Sequence, residues 1–523
     1  MSNNYIIGID AGTTVMKTVV FDLVGNEIAK ASSLADIIHS RPGWAEQDMN
    51  SVWQATAKSC KEVISKAGIR PQDVLAVSLS GQGAGMWLVD KKGKPTRYAV
   101  SWLDGRAQDI IDVWQADGTS NKLTRACGLV YYAGSGPGII FRWFMENDRK
   151  ALENSRSVLW AKDWVRYCMT GEIMTDETDP SMGMIDPPSR RYSSRVMELT
   201  GTSSYASLLP LIRPSHELGG KVTKAAAEAT GLAEGTPVAV GAWDCTSTAL
   251  GQGCIKSGDA FSIIGTAGIH MVVSSEPTIN ASYSLSCHTV PGQYLLHSMA
   301  MTAANNLDWY EREFGLAENQ AAEEQATSKY DIINSAVASV PLGANGVFFL
   351  PYLQGERAPF VEARARGEFA GLADSSVRSD LYRAVYEGVA LATLHNYKAM
   401  EVSRSFNRVR LGGGGAQSEV WSQILADCTG RVMEVTTGSE YGARGAAINA
   451  ALCAGVYKDH EEAVQQMVKV KQVYEPDHKK TREYAESFDI YVKLIESRRK
   501  LWVDMFRLAE KRKMPADKKS GAR

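Results

Sequence analysis

The 523-residue chain lacks any CxxC pair, and its eight cysteines are scattered: Cys60, Cys127, Cys168, Cys245, Cys254, Cys287, Cys428 and Cys453. That spacing excludes a disulfide-dense scaffold and a zinc ribbon, and it suits reduced thiols in a cytosol. The eight histidines include no HExxH or similar metal-ligand spacing. No uninterrupted apolar run reaches the ~20 residues of a membrane span. The opening residues MSNN have neither the basic region nor the apolar core of a secretory signal. A cytoplasmic protein with no membrane partner is expected. An excess of either charge is absent too, since 57 basic residues stand against 59 acidic ones for a net charge of -2. Nucleic acid, which needs a basic surface, is excluded as a partner.

What is present is an ordinary globular composition, 44% hydrophobic and 22% charged. The length exceeds the roughly 250–300 residues at which one core stops growing, so two domains are expected. Tyr5 to Asp10, Val15 to Asp22 and Glu27 to Ala31 read as an antiparallel meander, turned by Gly25-Asn26. Apolar residues at helical spacing predict a helix over Ser51 to Ala67, capped by Asn50 and ended by Gly68, and Leu75 to Ser80 predicts a further strand. Strands followed by alternating helices indicate an α/β architecture. The opening pattern returns in GDAFSIIGTAGIHMVVSS, with Gly265-Thr266 where Gly12-Thr13 stood. This duplication predicts two lobes facing one another across a cleft, with a boundary near Gly251 to Gly258. The expected domains are 1–253 and 254–513, the latter closing in a charged helical stretch from about Tyr474 to Lys513. A polar tail follows at 514–523 and is expected to be disordered.

The turns carry the chemistry. Gly12, Thr13 and Thr14 between two strands can aim backbone N–H groups and hydroxyls into one concavity that holds phosphate oxygens, and Lys17 adds charge. Asp10, at the strand end, is placed to hold hydrated magnesium beside them. A plain hairpin whose glycine only permits the turn is the alternative for this segment alone. Gly265, Thr266 and Gly268 could grip the same polyphosphate from the second lobe. Gly412 to Gly415, between a strand and a helix starting near Ser418, form a third turn that a nucleotide can approach closely.

With these turns in view, the chain resembles the FGGY carbohydrate kinases of the actin-like ATPase superfamily, from about Ile6 to Val456. The resemblance also includes GWAEQDM (43–49), KDWVRYCMTGE (162–172), GLAEGTPVAVGAWDCTSTALGQG (231–253) and FFLPYLQGERAPF (348–360). One family signature fits GEFAGLADSSVRSDLYRAVYE (367–387) throughout. The other is imperfect, with Ile140 standing where a lysine should precede Trp143. The implied fold is a pair of ribonuclease H-like domains with mixed sheets flanked by helices. The implied activity is phosphoryl transfer from ATP, with Mg2+, to a small sugar or polyol.

By the same resemblance, Asp244 is the base that takes the proton from the sugar hydroxyl, ionised at an ordinary aspartate pKa of about 3.9. Its alternative is a cap of a helix starting at Thr246. Gly12, Thr13, Thr14 and Lys17 would meet the phosphates, with Gly265 and Thr266 opposite and Asp10 organising magnesium. Gly413, Gly414, Ala416, Gln417 and Ser418 match the segment lining the adenosine site. Gln82, Trp102, Asp104 and Arg106 would surround the substrate with Asp244. Xylulose kinases usually follow the Gly-Gln pair with Met-His, where Gly83-Ala84 stand here. The GQGAGMWLVD segment is more similar to L-xylulose and erythritol kinases. The expected acceptor is the terminal primary hydroxyl of a linear four- or five-carbon ketose or polyol. A glycerol- or ribulose-type kinase and a non-catalytic, sugar-responsive actin-like ATPase remain open at this point, as does association into a homodimer.

Overall fold

A computed structural model describes residues 4–513, so the expected disorder of 514–523 lies outside the described residues. The chain forms two compact units. Unit 1 holds the residues up to Asp259 together with Val272–Leu296 and Thr437–Lys469, and unit 2 holds Ala260–Met271, His297–Thr436 and the chain from Val470 onward. Each is α/β, with a mixed sheet flanked by helices. No described helix is long and apolar enough to cross a membrane.

In unit 1 the strands Tyr5–Ala11, Val15–Asp22 and Glu27–Leu34 form the expected antiparallel meander. The sheet continues through Val74–Gly81, which runs parallel to Tyr5–Ala11, and Ala242–Trp243 runs parallel to Val74–Gly81 in turn. Alternation along the first strand explains why both its faces are apolar. Ile7, Ile9 and Ala11 enter one core with Val52, Cys60 and Val63 of the helix Met49–Ala67. Ile6 enters the opposite core with Ala447 and Ile448 of the helix Tyr441–Cys453. Gly8 shares that second face and must be glycine, because a Cβ there would lie 1.8 Å from the Ala443 carbonyl oxygen.

The helix expected from Ser51 begins two residues earlier, and its cap is Asp48, not Asn50. The Asp48 carboxylate accepts the Asn50 N–H at 2.9 Å, so Asn50 is already helical and receives the cap. Replacing Asp48 by Ala is therefore expected to cost about 1 kcal/mol in urea denaturation, and Asn50→Ala less than about half of that.

In unit 2 the strands Ala260–Ile264, Arg408–Gly412 and Val432–Thr436 run parallel, and Val470–Tyr474 closes the edge antiparallel. Tyr474 thus ends a strand, and the terminal helix begins only at His478, beyond Pro476.

Candidate active site

In adjacent strands, residues in register share a face. Asp10 is in register with Lys17 on one side and Ser80 on the other, and Ser80 with Ala242. Four strand ends therefore bring Lys17, Asp10, Ser80 and the residues just beyond Ala242 into one row. The Ser80 hydroxyl donates to Asp10 Oδ1 at 2.9 Å. The N-terminus of the helix Tyr441–Cys453 meets the same row. A Cβ on Gly442 would lie 3.2 Å from Asp10 Oδ2, so glycine keeps that oxygen clear. Burial raises the Asp10 carboxyl above its ordinary pKa, while Ser80 and Lys17 pull it down and Glu440 adds to the rise.

Glu440, just before this helix, accepts from Lys17 Nζ at 2.9 Å and from Lys30 Nζ at 3.2 Å. Burial pushes the Glu440 carboxyl up, but the two lysines more than reverse it and leave it below the usual range. Lys17 is correspondingly raised: burial opposes its charge and the Glu440 hydrogen bond overcomes the burial. The lysine expected from sequence is therefore held in a fixed ion pair beside Asp10.

The helix Asp244–Gly251 starts at Asp244 itself, with no side-chain cap bond. The capping alternative is thus not realised, because Asp244 occupies the first turn and Thr246 Oγ1 donates to the Trp243 carbonyl at 2.8 Å. Asp244 Oδ1 is buried without a hydrogen-bond partner. Burial, reinforced by the charge of Asp10, pushes the carboxyl up to about 7, against the opposing hydrogen bonds of Cys245. The ordinary carboxylate expected from sequence is replaced by one that titrates near neutrality, because the fold removes its water and sets a second carboxylate nearby. Gly251 and Gly445 let this helix meet Tyr441–Cys453 closely: Cβ atoms there would lie 1.9 Å from Tyr441 O and 1.8 Å from Ser247 O.

Behind the strand ends lies a fully buried ion cluster. Lys162 Nζ sits 2.7 Å from Asp163 Oδ1 and 3.0 Å from both Asp176 Oδ1 and Asp179 Oδ2. Burial disfavours the ammonium, yet three carboxylates hold its pKa above normal. Thr178, between the last two aspartates, accepts the Trp243 N–H at 2.8 Å and so ties the cluster to the start of the Asp244 helix.

The expected substrate residues divide. Asp104 Oδ1 accepts from the Arg106 N–H and Nε, and Oδ2 accepts from Ala45 N–H and Arg106 Nη2. Arg106 also pairs with Glu46 at 2.8 Å and stacks on Trp44, 3.8 Å from the ring centre. Asp104 is thus fully engaged by the protein, while Arg106 Nη1 stays buried without a partner. Gln82 Nε2 donates to Gln47 Oε1, leaving Gln82 Oε1 buried and unpartnered. Trp102 is half-buried, and its indole N–H donates to Thr13 Oγ1 at 2.9 Å. Gly12 needs its lack of a side chain, since a Cβ would meet Val15 O at 2.9 Å, and Thr14 is exposed.

In unit 2 the two expected turns lie side by side. A Cβ on Gly413 would be 2.7 Å from Ile264 O and 3.1 Å from Gly265 N. Thr266 and Gln417 are exposed, Gly414 faces open space, and Ala416 is buried. Ser418 Oγ caps the helix Glu419–Thr429 by accepting from Trp421 N–H, and it donates to Asn334 at 2.7 Å, so its hydroxyl is engaged.

Sequence reasoning missed Ser80, Gln47, Trp243 and Glu440. Gln47 stood inside the quoted GWAEQDM segment, and Trp243 directly before Asp244. Glu440 had no local signal, because its partner Lys17 lies 423 residues away.

Among the described residues, the strand ends around Asp10, Lys17 and the glycine-threonine turn, with Asp244 at the start of the next helix and glycine turns in a second α/β unit, are an arrangement suited to phosphoryl transfer. The chain matches the N-terminal domain of the FGGY family of carbohydrate kinases over residues 5–251 and its C-terminal domain over residues 260–454. It is 30% identical to a probable L-xylulose kinase of Pasteurella multocida, over 86% of this chain and 90% of that protein. It is 30% identical to an erythritol kinase of Brucella abortus, over 93% and 95%. The crystal structure of a xylulose kinase from Rhodospirillum rubrum superposes with a TM-score of 0.84 at 27% identity, covering 95% of this chain and all of that one. The protein belongs to the FGGY family of carbohydrate kinases, ATP-dependent phosphotransferases acting on sugar hydroxyls.

Proposed function

We propose that this kinase transfers the γ-phosphate of ATP to a terminal primary hydroxyl of a linear four- or five-carbon ketose or polyol, with Asp244 as the general base. The observation that carries the reading is the Asp244 carboxyl, with a buried, unpartnered oxygen and a pKa near 7. A base of that strength, with one oxygen free of hydrogen-bond partners, is matched to accepting a proton from an alcohol at neutral pH. Relatives named for L-xylulose and erythritol support the acceptor class.

The residues present fit ATP and magnesium. Gly12 admits the tight turn, the Thr13 and Thr14 hydroxyls and Lys17 supply donors, and the start of the helix Tyr441–Cys453 favours negative charge. Asp10 Oδ2, kept clear by Gly442, suits a magnesium ion that retains most of its water; no cluster of three or more metal ligands exists among the described residues. Magnesium, when bound, neutralises charge on the phosphate oxygens. Lys17 brings a positive charge whose position Glu440 fixes, Gln82 and Arg106 offer unpartnered atoms to the substrate, and Asp244 accepts the proton at Oδ1. We assign substrate binding and the first phosphate turn to residues 1–253. Gly265, Thr266 and the adenosine segment around Gly413, Gly414, Ala416, Gln417 and Ser418 fall to 254–513. None of the eight cysteines is joined in a disulfide among the described residues, which supports a cytosolic location, where ATP is available.

The test is ADP release over xylulose, ribulose, erythritol, threitol, xylitol and glycerol. Turnover that depends on a four- or five-carbon acceptor is expected. Hydrolysis indifferent to every acceptor would point to an ATPase and overturn the proposal.

A further inference from the structure

A buried run of hydrogen bonds joins the sugar side of the site to the phosphate turn, and its direction can be deduced. Gln47 is fully buried, and its Nε2 donates to the Thr13 carbonyl at 2.7 Å. A carbonyl only accepts, so the Gln47 amide nitrogen must face Thr13 and its oxygen must face Gln82. That oxygen accepts from Gln82 Nε2 at 2.5 Å, which leaves Gln82 Oε1 as the free atom. The Gln82 end of the run therefore offers an acceptor, to which a sugar hydroxyl can donate.

The other end is fixed in the same way. An indole N–H only donates, so Thr13 Oγ1 accepts from Trp102 at 2.9 Å and its own proton points elsewhere. Thr13 thus offers a donor, the complement of a phosphate oxygen. The Gln82 backbone N–H also binds the Ala11 carbonyl at 2.9 Å, anchoring the first member of the run to the strand that leads into the turn.

We propose that Gln47 is the positioning residue of a hydrogen-bond relay of fixed polarity between Gln82 and Thr13, through which capture of an acceptor hydroxyl and capture of a nucleotide phosphate strengthen each other. The proposal rests on the kinase reading above. An unpartnered buried amide oxygen is costly, and a sugar hydroxyl that satisfies it also fixes the amide plane, hence Gln47, hence the Thr13 backbone. Coupling of this kind is reciprocal: each ligand tightens the other by one common factor.

Calorimetric titration of magnesium-ADP, alone and with saturating erythritol or L-xylulose, measures that factor without turnover. We expect about tenfold tightening in the natural chain, and the same factor when the acceptor is titrated in the presence of ADP. Gln47→Met keeps the length and removes both hydrogen bonds, and is expected to bring the factor below about 2, with each ligand still binding alone. If Gln47→Met fails to fold by its melting curve, Gln47→Leu, which removes the same two hydrogen bonds with a different shape, must lower the factor instead. A factor near 1 in the natural chain, or one preserved in the folded variant, overturns the relay while leaving the kinase reading intact. Absence of acceptor-dependent ADP release in the natural chain would sink the kinase reading, and the relay with it.

Discussion

Asp244→Asn is expected to slow phosphoryl transfer by at least ~10²–10⁴-fold and, at pH 8, to raise the melting temperature of the ligand-free protein. The loss follows because an amide cannot take the hydroxyl proton. The gain follows from burial. The native carboxyl titrates near 7, well above the ~3.9 of an unfolded aspartate. Between those values the native state binds more protons than the unfolded state, so stability falls as pH rises across that window. Above pH 7 the whole penalty is present, on the order of 2–4 kcal/mol at ~1.4 kcal/mol per pH unit. Asparagine carries no charge and removes it. At pH 4 the native aspartate is already protonated, so the variant should gain little there. Calorimetric melting at both pH values decides the point: an equal shift at both, or a destabilisation at pH 8, would contradict a buried ionised base. The same titration predicts that kcat/KM for the acceptor falls about tenfold per unit below pH 7.

The sequence carried the parts of this site that depend on local geometry. The meander around Gly12 was legible because strand alternation and a glycine turn are short-range patterns, and the turn at Gly413 because a glycine run separates a strand from a helix. The cap of the first helix was misplaced by two residues because Asp48 and Asn50 are both competent caps, and only backbone geometry separates them. Distant partners were invisible. Glu440 reaches Lys17 only because the helix Tyr441–Cys453 returns to the first sheet. Asp104 and Arg106 were expected only as substrate ligands, because sequence does not show which protein groups a side chain will meet. The fold gives both Asp104 oxygens to the protein and leaves one Arg106 nitrogen open. The pKa of Asp244 was the largest departure, because composition says nothing of how much water a carboxylate retains.

Gly83→Met is expected to abolish most activity, and its combination with Trp243→Gly to restore a folded enzyme with altered acceptor preference. Gly83 follows Gln82 two residues beyond the strand Val74–Gly81, and Trp243 ends the neighbouring strand immediately before Asp244. A Cβ on Gly83 would lie 2.3 Å from Trp243 Cδ1 and 2.4 Å from Nε1, distances no side chain tolerates. Gly83 has an ordinary backbone conformation, so the nearest obstacle to a side chain there is the indole rather than the backbone. Trp243 is only 4% exposed and its backbone N–H is held by Thr178, so a shift of the ring disturbs packing directly beside the base. Such overpacking costs about 1–3 kcal/mol, and displacing a base by about 1 Å costs on the order of 10²-fold in rate. The indole therefore occupies the volume that the methionine of the xylulose-kinase pattern would fill. Moving that bulk from position 243 to position 83 should reshape the wall between Gln82 and Asp244 without overfilling it. A double-mutant cycle on melting temperature and on kcat/KM across the acceptor panel measures the exchange, with a coupling of about 1–3 kcal/mol expected. Strictly additive losses would show that the two positions do not share the volume and that Trp243 has no part in acceptor choice.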